Sequence, residues 1–264
     1  MIRKFLFTAM LIIFISAGCA FAGVDLGEGY HVPENFSSVL ITSSDGTAIQ
    51  NAVSHIQDGG TILLSGDFNL VMQINIKKNI TIKGTTNKAI LDGTAANDRV
   101  IRCEGNITLE NLVIRGGDSS NGGGVKLDGG EVNIISCDIT GNKSLLGGGG
   151  IYSQAAALTL TNCNISDNTV NLLGGGIAFL GGKAEITGCK INNNSAFQGG
   201  GIALASVTIT MNNSQVTSNT AKEIGGGVYL PSGTLIASSC DISGNTASAS
   251  ADIALQDGAT YTIN

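Results

Sequence analysis

Between Gly174 and Lys183 the chain reads GGGIAFLGGK, a glycine run, four apolar residues and a Gly-Gly-Lys that could reach toward a phosphate. A phosphate-binding loop needs glycine, four residues, then Gly-Lys and a hydroxyl residue, so that backbone N–H groups wrap the phosphates and the hydroxyl holds the metal. Counting back from Gly182-Lys183 puts Ile177 where the first glycine belongs, and Ala184 stands where the hydroxyl belongs. The glycines therefore serve something other than a nucleotide.

Other reactive side chains are sparse. The two histidines, His31 and His55, both precede the glycine-rich part, so no Cys-His or Ser-His-Asp arrangement is available there. Cys137, Cys163 and Cys189 are evenly spaced, as are Ser214 and Cys240 after them. A straight stack of three sulfurs does not surround a zinc ion. Buried free thiols are the preferred reading, and a disulfide between adjacent members of the series is conceivable. No catalytic residue, metal site or cofactor site is assigned.

What positions these residues is a repeat. Glycine triplets begin at Gly122, Gly148, Gly174, Gly199 and Gly225, each followed closely by Val or Ile. Self-similarity at a constant step of about 26 residues signals a solenoid. On that step Ile139, Ile165, Ile191, Val216 and Ile242 align, and three residues later Asn142, Asn168, Asn194, Asn219 and Asn245. Apolar residues alternate at Val132 and Ile134, Leu158 and Leu160, Ala184 and Ile186, Ile209 and Met211, Leu235 and Ala237. Alternation with period two means half-buried strands. The expected fold is all-β, a right-handed single-stranded parallel β-helix of seven to eight coils.

The columns then acquire roles. Stacked asparagines hydrogen-bond along the rod and tolerate a left-handed turn. The cysteine column takes an inward position that Leu112 and Ser214 fill elsewhere. Thr159, Thr161, Glu185, Thr187, Thr210 and Asn212 alternate with the apolar positions and form an outward face of hydroxyls and amides, suited to glycans and, less well, to ice. Tyr152 and Tyr229 point outward by the same alternation, too far apart for a sugar-stacking platform. Before the coils, Ala48, Ile49, Ala52, Val53 and Ile56 share one helical face, with Asp45 as N-cap and Gly59-Gly60 as stop. A cap over 45–60 protects the first coil, because an open terminal coil offers unpaired N–H and C=O groups.

The paired motifs GGGI or GGGV and Ile-x-x-Asn, over about residues 122 to 255, resemble the Gly-Gly-Ala-Ile/Leu/Val and Phe-x-x-Asn tetrapeptides of the chlamydial-type polymorphic outer-membrane protein repeat. Glycine replaces alanine in the first motif, and Ile or Val replaces phenylalanine in the second. That resemblance implies a surface-exposed adhesin or autotransporter passenger. Such proteins usually continue into a C-terminal membrane β-barrel, which these residues do not show; secretion, lipid anchoring and a truncated gene stay open. More loosely, DGGTILLSGDF followed by NITIKG resembles the opening coils of pectate-lyase-like β-helices. That family includes polysaccharide lyases and hydrolases, so catalysis is the alternative function. Its lyases set a basic residue near calcium-binding carboxylates; here Arg99, Arg102 and Arg115 with Asp92, Asp98, Glu104, Glu110 and Asp118 form the one neighbourhood of that type.

The N-terminal MIRKFLFTAMLIIFISAGCAFA reads as a secretory signal peptide over residues 1–22, with Arg3 and Lys4, an apolar stretch and a small-residue site. A rival reading makes Cys19 the acylated residue of a lipoprotein. Residues 23–44 read as a lead-in and 45–264 as the β-helix domain. Removal of the leader leaves 12 basic and 20 acidic residues, a formal charge of −8. Nucleic acid and anionic membranes are poor partners for such a chain. No stretch of the mature chain is apolar enough to span a membrane. The reading is an extracellular or outer-membrane protein that binds glycans or host-surface molecules, with end-to-end or edge association open to its terminal coils.

Overall fold

A computed structural model describes residues 23–25, 31–33, 36–42, 44–154, 156–256 and 258–263. The expected leader over residues 1–22, with Cys19, lies outside the described residues. The chain winds into a parallel β-solenoid of about nine turns, more than the seven to eight expected. The extra turns come from the start, where strands such as Ser38–Ile41 and Thr61–Leu64 alternate inward and outward without any glycine triplet. At roughly 4.8 Å per turn the rod is about 43 Å long.

Each regular turn has four straight stretches. The first follows the glycines, as in Val125–Leu127 and Ile151–Ser153. The second carries the apolar alternation, as in Glu131–Ile135 and Ala157–Thr161. These two stacks merge into one sixteen-stranded sheet, because Ile177–Thr187 and Ile202–Asn212 run through both as single strands. The third stretch, as in Asn164–Ser166, builds an eight-stranded sheet. The fourth, as in Thr169–Val170, builds a five-stranded sheet. Lateral pairing is parallel throughout the solenoid, for example Ile165 with Ile191 and Ile191 with Val216. Inward side chains from all the coils make one continuous apolar core from Phe36 to Ala237.

The corners explain the odd residues. One left-handed residue precedes the cysteine column (Ser136, Asn162, Gly188, Asn213, Ser239), one precedes the asparagine column (Gly141, Asp167, Asn193, Ser218, Gly244), and one opens the glycine run (Gly148, Gly174, Gly199, Gly225, Ser250). The left-handed residue is thus the neighbour of each column asparagine rather than that asparagine itself, which corrects the expectation above. In the glycine run two needs combine. Gly174 has φ +66, and a Cβ on Gly175 would collide with the Gly200 carbonyl oxygen of the next coil. The glycines are there for a tight corner between stacked backbones.

Two boundaries differ from the sequence reading. The lead-in expected over 23–44 is shorter, since Ser38–Ile41 already pairs in parallel with Thr61–Leu64. Helix α1 spans Thr47–His55 rather than 45–60, buries Ile49, Ala52 and Val53, and is followed by extended Ile56. The N-cap is Gly46 rather than the expected Asp45, which stands one residue earlier, where its carboxylate accepts a 2.9 Å hydrogen bond from the Thr47 N–H. His55 is half-buried on that helix, its Nδ1 2.8 Å from the Asn51 carbonyl oxygen.

Candidate functional site

The outward face of the second stretch is assembled by register alone. Leu158 and Leu160 point into the core, which turns Thr159 and Thr161 outward. Parallel pairing puts Glu185 beside Thr159 and Thr187 beside Thr161, then Thr210 beside Glu185 and Asn212 beside Thr187. All six residues expected on the face are therefore brought together. Toward the N-terminal end the Thr159 column continues as Asn133 and Thr108, and the Thr161 column as Ile135 and Glu110. Rows repeat at roughly 4.8 Å along the rod and outward residues of one row at roughly 6.7 Å across it.

A third column escaped the sequence reading. Lys183, Thr208, Thr234 and Thr260 stack two residues before the glutamate column, and Thr260 Oγ1 donates to Thr234 Oγ1 at 2.9 Å. The same alternation, carried one step further toward the glycines, would have found it. Lys183 is thus a member of this face, where it lines a shallow cavity of about 180 Å³ with Glu131, Asn133, Thr159 and Glu185. Two carboxylates, one ammonium, an amide and a hydroxyl meet there, a set that recognises hydroxyl-rich or amine-bearing ligands by hydrogen bonding.

The basic and acidic neighbourhood near residues 92–118 does not form one site. Arg115 pairs with Asp92 at 2.9 Å on the eight-stranded sheet. Glu110 pairs instead with Lys83 at 2.6 Å on the threonine face. Arg99 reaches Ser119 Oγ at 2.7 Å and lies 3.9 Å from Asp98, near the start of the five-stranded sheet. Arg102 pairs with Glu104 at 3.3 Å and with Asp128 at 2.5 Å, and Asp128 also meets Lys126 at 2.9 Å. The Asp128 carboxyl is held below the usual carboxylate range: partial burial pushes it up, but hydrogen bonds from Lys126 and Arg102 outweigh that. Successive corners rotate the chain by a face at a time, so closeness in sequence does not bring these charges together. Among the described residues no group of three or more His, Cys, Asp or Glu could hold a metal ion.

The asparagine ladder is complete and internal. Asn168 donates through its N–H and its Nδ2 to Asn194 Oδ1, both at 3.0 Å, and its Nδ2 also reaches the Ile139 carbonyl at 2.8 Å. The pattern repeats from Asn142 to Asn245, and Asp252 Oδ1 ends it by accepting from the Asn245 N–H and Nδ2. Asp252 was missed in the sequence because it stands only seven residues beyond Asn245 and breaks the period.

Among the described residues Cys103, Cys137, Cys163, Cys189 and Cys240 are free thiols, and all but Cys240 are buried. Burial, then the neighbouring Cys163, pushes the Cys137 thiol up to about 12. In the next pair the Cys163 N–H lies 3.4 Å from Cys189 Sγ, and the hydrogen bond with Cys163 together with burial keeps the proton on Cys189. Tyr152 and Tyr229 do project away from the main core, but they are only 8% and 7% exposed. Tyr229 packs with Ala203 and Ala254 under Leu173 and Ile224, so the bulge of the five-stranded sheet covers the side that alternation leaves open.

The family whose description is right-handed β-helix region matches residues 100–264. The chain belongs to the right-handed β-helix family. The matched part of this β-helix protein takes in all the glycine triplets from Gly122 onward and also the turn before them, Ile101–Arg115, which lacks the column cysteine and asparagine. No curated protein and no solved structure matches the chain. No helix among the described residues is long and apolar enough to cross a membrane, which says nothing of a β-barrel.

Proposed function

We propose that the chain is an exported, cell-surface β-helix protein that binds extracellular glycans or host-surface molecules through the threonine face, without catalysing a reaction. The observation that carries this reading is the three-column outward array, Thr159, Glu185 and Thr210 beside Thr161, Thr187 and Asn212 and beside Lys183, Thr208 and Thr234. Such a surface offers many weak, regularly spaced hydrogen bonds, which suits a repeating polar ligand. The separation of Arg99, Arg102 and Arg115 into different ion pairs supports binding over lyase chemistry, since each guanidinium already serves a local carboxylate. The likeness of the motif pair to polymorphic outer-membrane protein repeats supports surface display.

Glycan and host-cell arrays test the proposal. Binding is expected, and Thr161→Lys with Thr187→Lys should weaken it by about tenfold, as loss of a few interfacial hydrogen bonds does. Release of unsaturated uronides from pectin or alginate, lost in Arg115→Ala or on calcium chelation, would instead establish the enzymatic alternative. Arrays without any signal would leave a purely structural role.

A further inference from the structure

The hollow beside Lys183 does not end at Glu131. Next to it, toward the N-terminal end of the rod, a second shallow cavity of about 220 Å³ is lined by Asn79, Thr81, Asn106 and Thr108, and the two cavities share Glu131 and Asn133. Parallel register sets these residues on successive coils, from Thr81 through Thr108, Asn133 and Thr159 to Glu185. With Gly59 at its far end, the joined groove runs about 24 Å along the rod, at roughly 4.8 Å per coil. One short side chain opens it. Glu131, Ala157 and Lys183 stack in one column, and the Ala157 methyl between two long charged side chains leaves the hollow that Thr159 borders.

Charge along the groove is uneven. Among the described residues Glu131, Lys183 and Glu185 have no ion-pair partner. Lys183 and Glu185 are outward neighbours on one strand, so their fields offset each other. Glu131 stands two coils from Lys183 among neutral Asn106, Asn133 and Ala157, and it is the one charged residue lining the second cavity. The surrounding charges do not cancel it. Lys83 is paired with Glu110 at 2.6 Å, the Lys78 ammonium donates to the Ser54 and Ile56 carbonyls, and Asp58, near the far end, accepts from the Asn79 amide. The groove is therefore polar along its length and carries an uncompensated carboxylate midway.

We infer that the ligand of this face is an amine-bearing glycan, a chain of hexosamine units with free amino groups, laid along the groove with an ammonium on the Glu131 carboxylate. The inference rests on the glycan-binding reading above and narrows it. An ammonium brings three donors to a carboxylate that lacks a charged partner, and the amides and hydroxyls of Asn106, Thr108, Asn133 and Thr159 are left for the sugar hydroxyls. An acidic glycan would set its own carboxylates against Glu131 and Glu185 with only Lys183 to receive them. An N-acetylated chain forfeits the charge.

Isothermal titration of the purified full chain at low salt, with a β-1,4-linked glucosamine hexamer and its fully N-acetylated counterpart, tests the inference. The glucosamine hexamer is expected to bind about tenfold more tightly, and Glu131→Gln should remove that preference. Asp241→Asn, an equal change of net charge on the eight-stranded sheet, should leave it intact. Equal binding of the two hexamers, weakened by Thr161→Lys, overturns the inference and keeps the broader glycan-binding reading. Binding of neither hexamer overturns it, and glycan arrays without signal would then remove the broader reading as well. A preference that survives Glu131→Gln overturns it, as does one lost equally in Asp241→Asn, which would mean attraction to net charge alone. Spermidine bound as tightly as the glucosamine hexamer also overturns it, and assigns the groove to polyamines.

Discussion

At the scale of single residues, the buried polar atoms decide more than the apolar ones. Asn194 accepts two hydrogen bonds from Asn168 and donates to Asn219 Oδ1 and to the Ile165 carbonyl. Asn194→Ala leaves the Asn168 N–H and one Nδ2 proton without their acceptor in the core, so a loss of about 2–4 kcal/mol is expected in denaturant unfolding. The thiols give a second residue-level expectation. Cys103, Cys137, Cys163 and Cys189 should resist a thiol reagent at neutral pH in the folded protein, and the half-buried Cys240 should react first. Timed labelling read by mass spectrometry checks this, and rapid modification of a second cysteine before unfolding would contradict it. Asp128 gives a pH dependence. Its carboxyl is depressed in the folded state, so its contribution to stability is present above the ordinary carboxylate value near 3.9 and is lost as pH falls through the lowered value. Asp128→Asn should therefore destabilise at pH 7 and have a smaller effect at pH 3, measured by chemical denaturation at both.

At the scale of the coil, the glycine corner sets how closely turns can stack. A Cβ on Gly175 meets the backbone of the next coil, which cannot move without parting the ladder, whereas Gly244 has φ +66 and nothing within 4 Å of such an atom. Gly175→Ala should cost about 3 kcal/mol or more. Gly244→Ala should cost only the left-handed strain of about 1 kcal/mol. Equal denaturation midpoints for the two variants would refute the stacking explanation. The coil was largely legible in the sequence: strand alternation, the inward cysteine column and the asparagine ladder all follow from equivalent residues recurring at one step. The location of the left-handed residue was not, because Gly, Asp, Asn and Ser all occupy that corner and no single letter marks it.

At the scale of the whole molecule, one end of the rod is covered by helix α1, with Ile49 and Val53 buried against the first turns. Ile49→Asp should uncover those strands and raise light scattering with concentration, while Ser54→Asp on the exposed side of the same helix should not. The sequence by itself determined the parallel β-helix, the polar face of Thr159 to Asn212 and the chain of asparagines. A solenoid repeats its environment every coil, so one-dimensional spacing carries three-dimensional contact. Only the tertiary structure decided what happens where the period fails. It divided Arg99, Arg102 and Arg115 among different faces, laid the bulge of the five-stranded sheet over Tyr229, put Asp252 at the end of the asparagine ladder and raised Leu145, Leu146, Leu172 and Phe197 into a ridge. Those features depend on how far the chain travels between corners, and that distance is fixed by packing against neighbouring coils rather than by the identity of the residues in between.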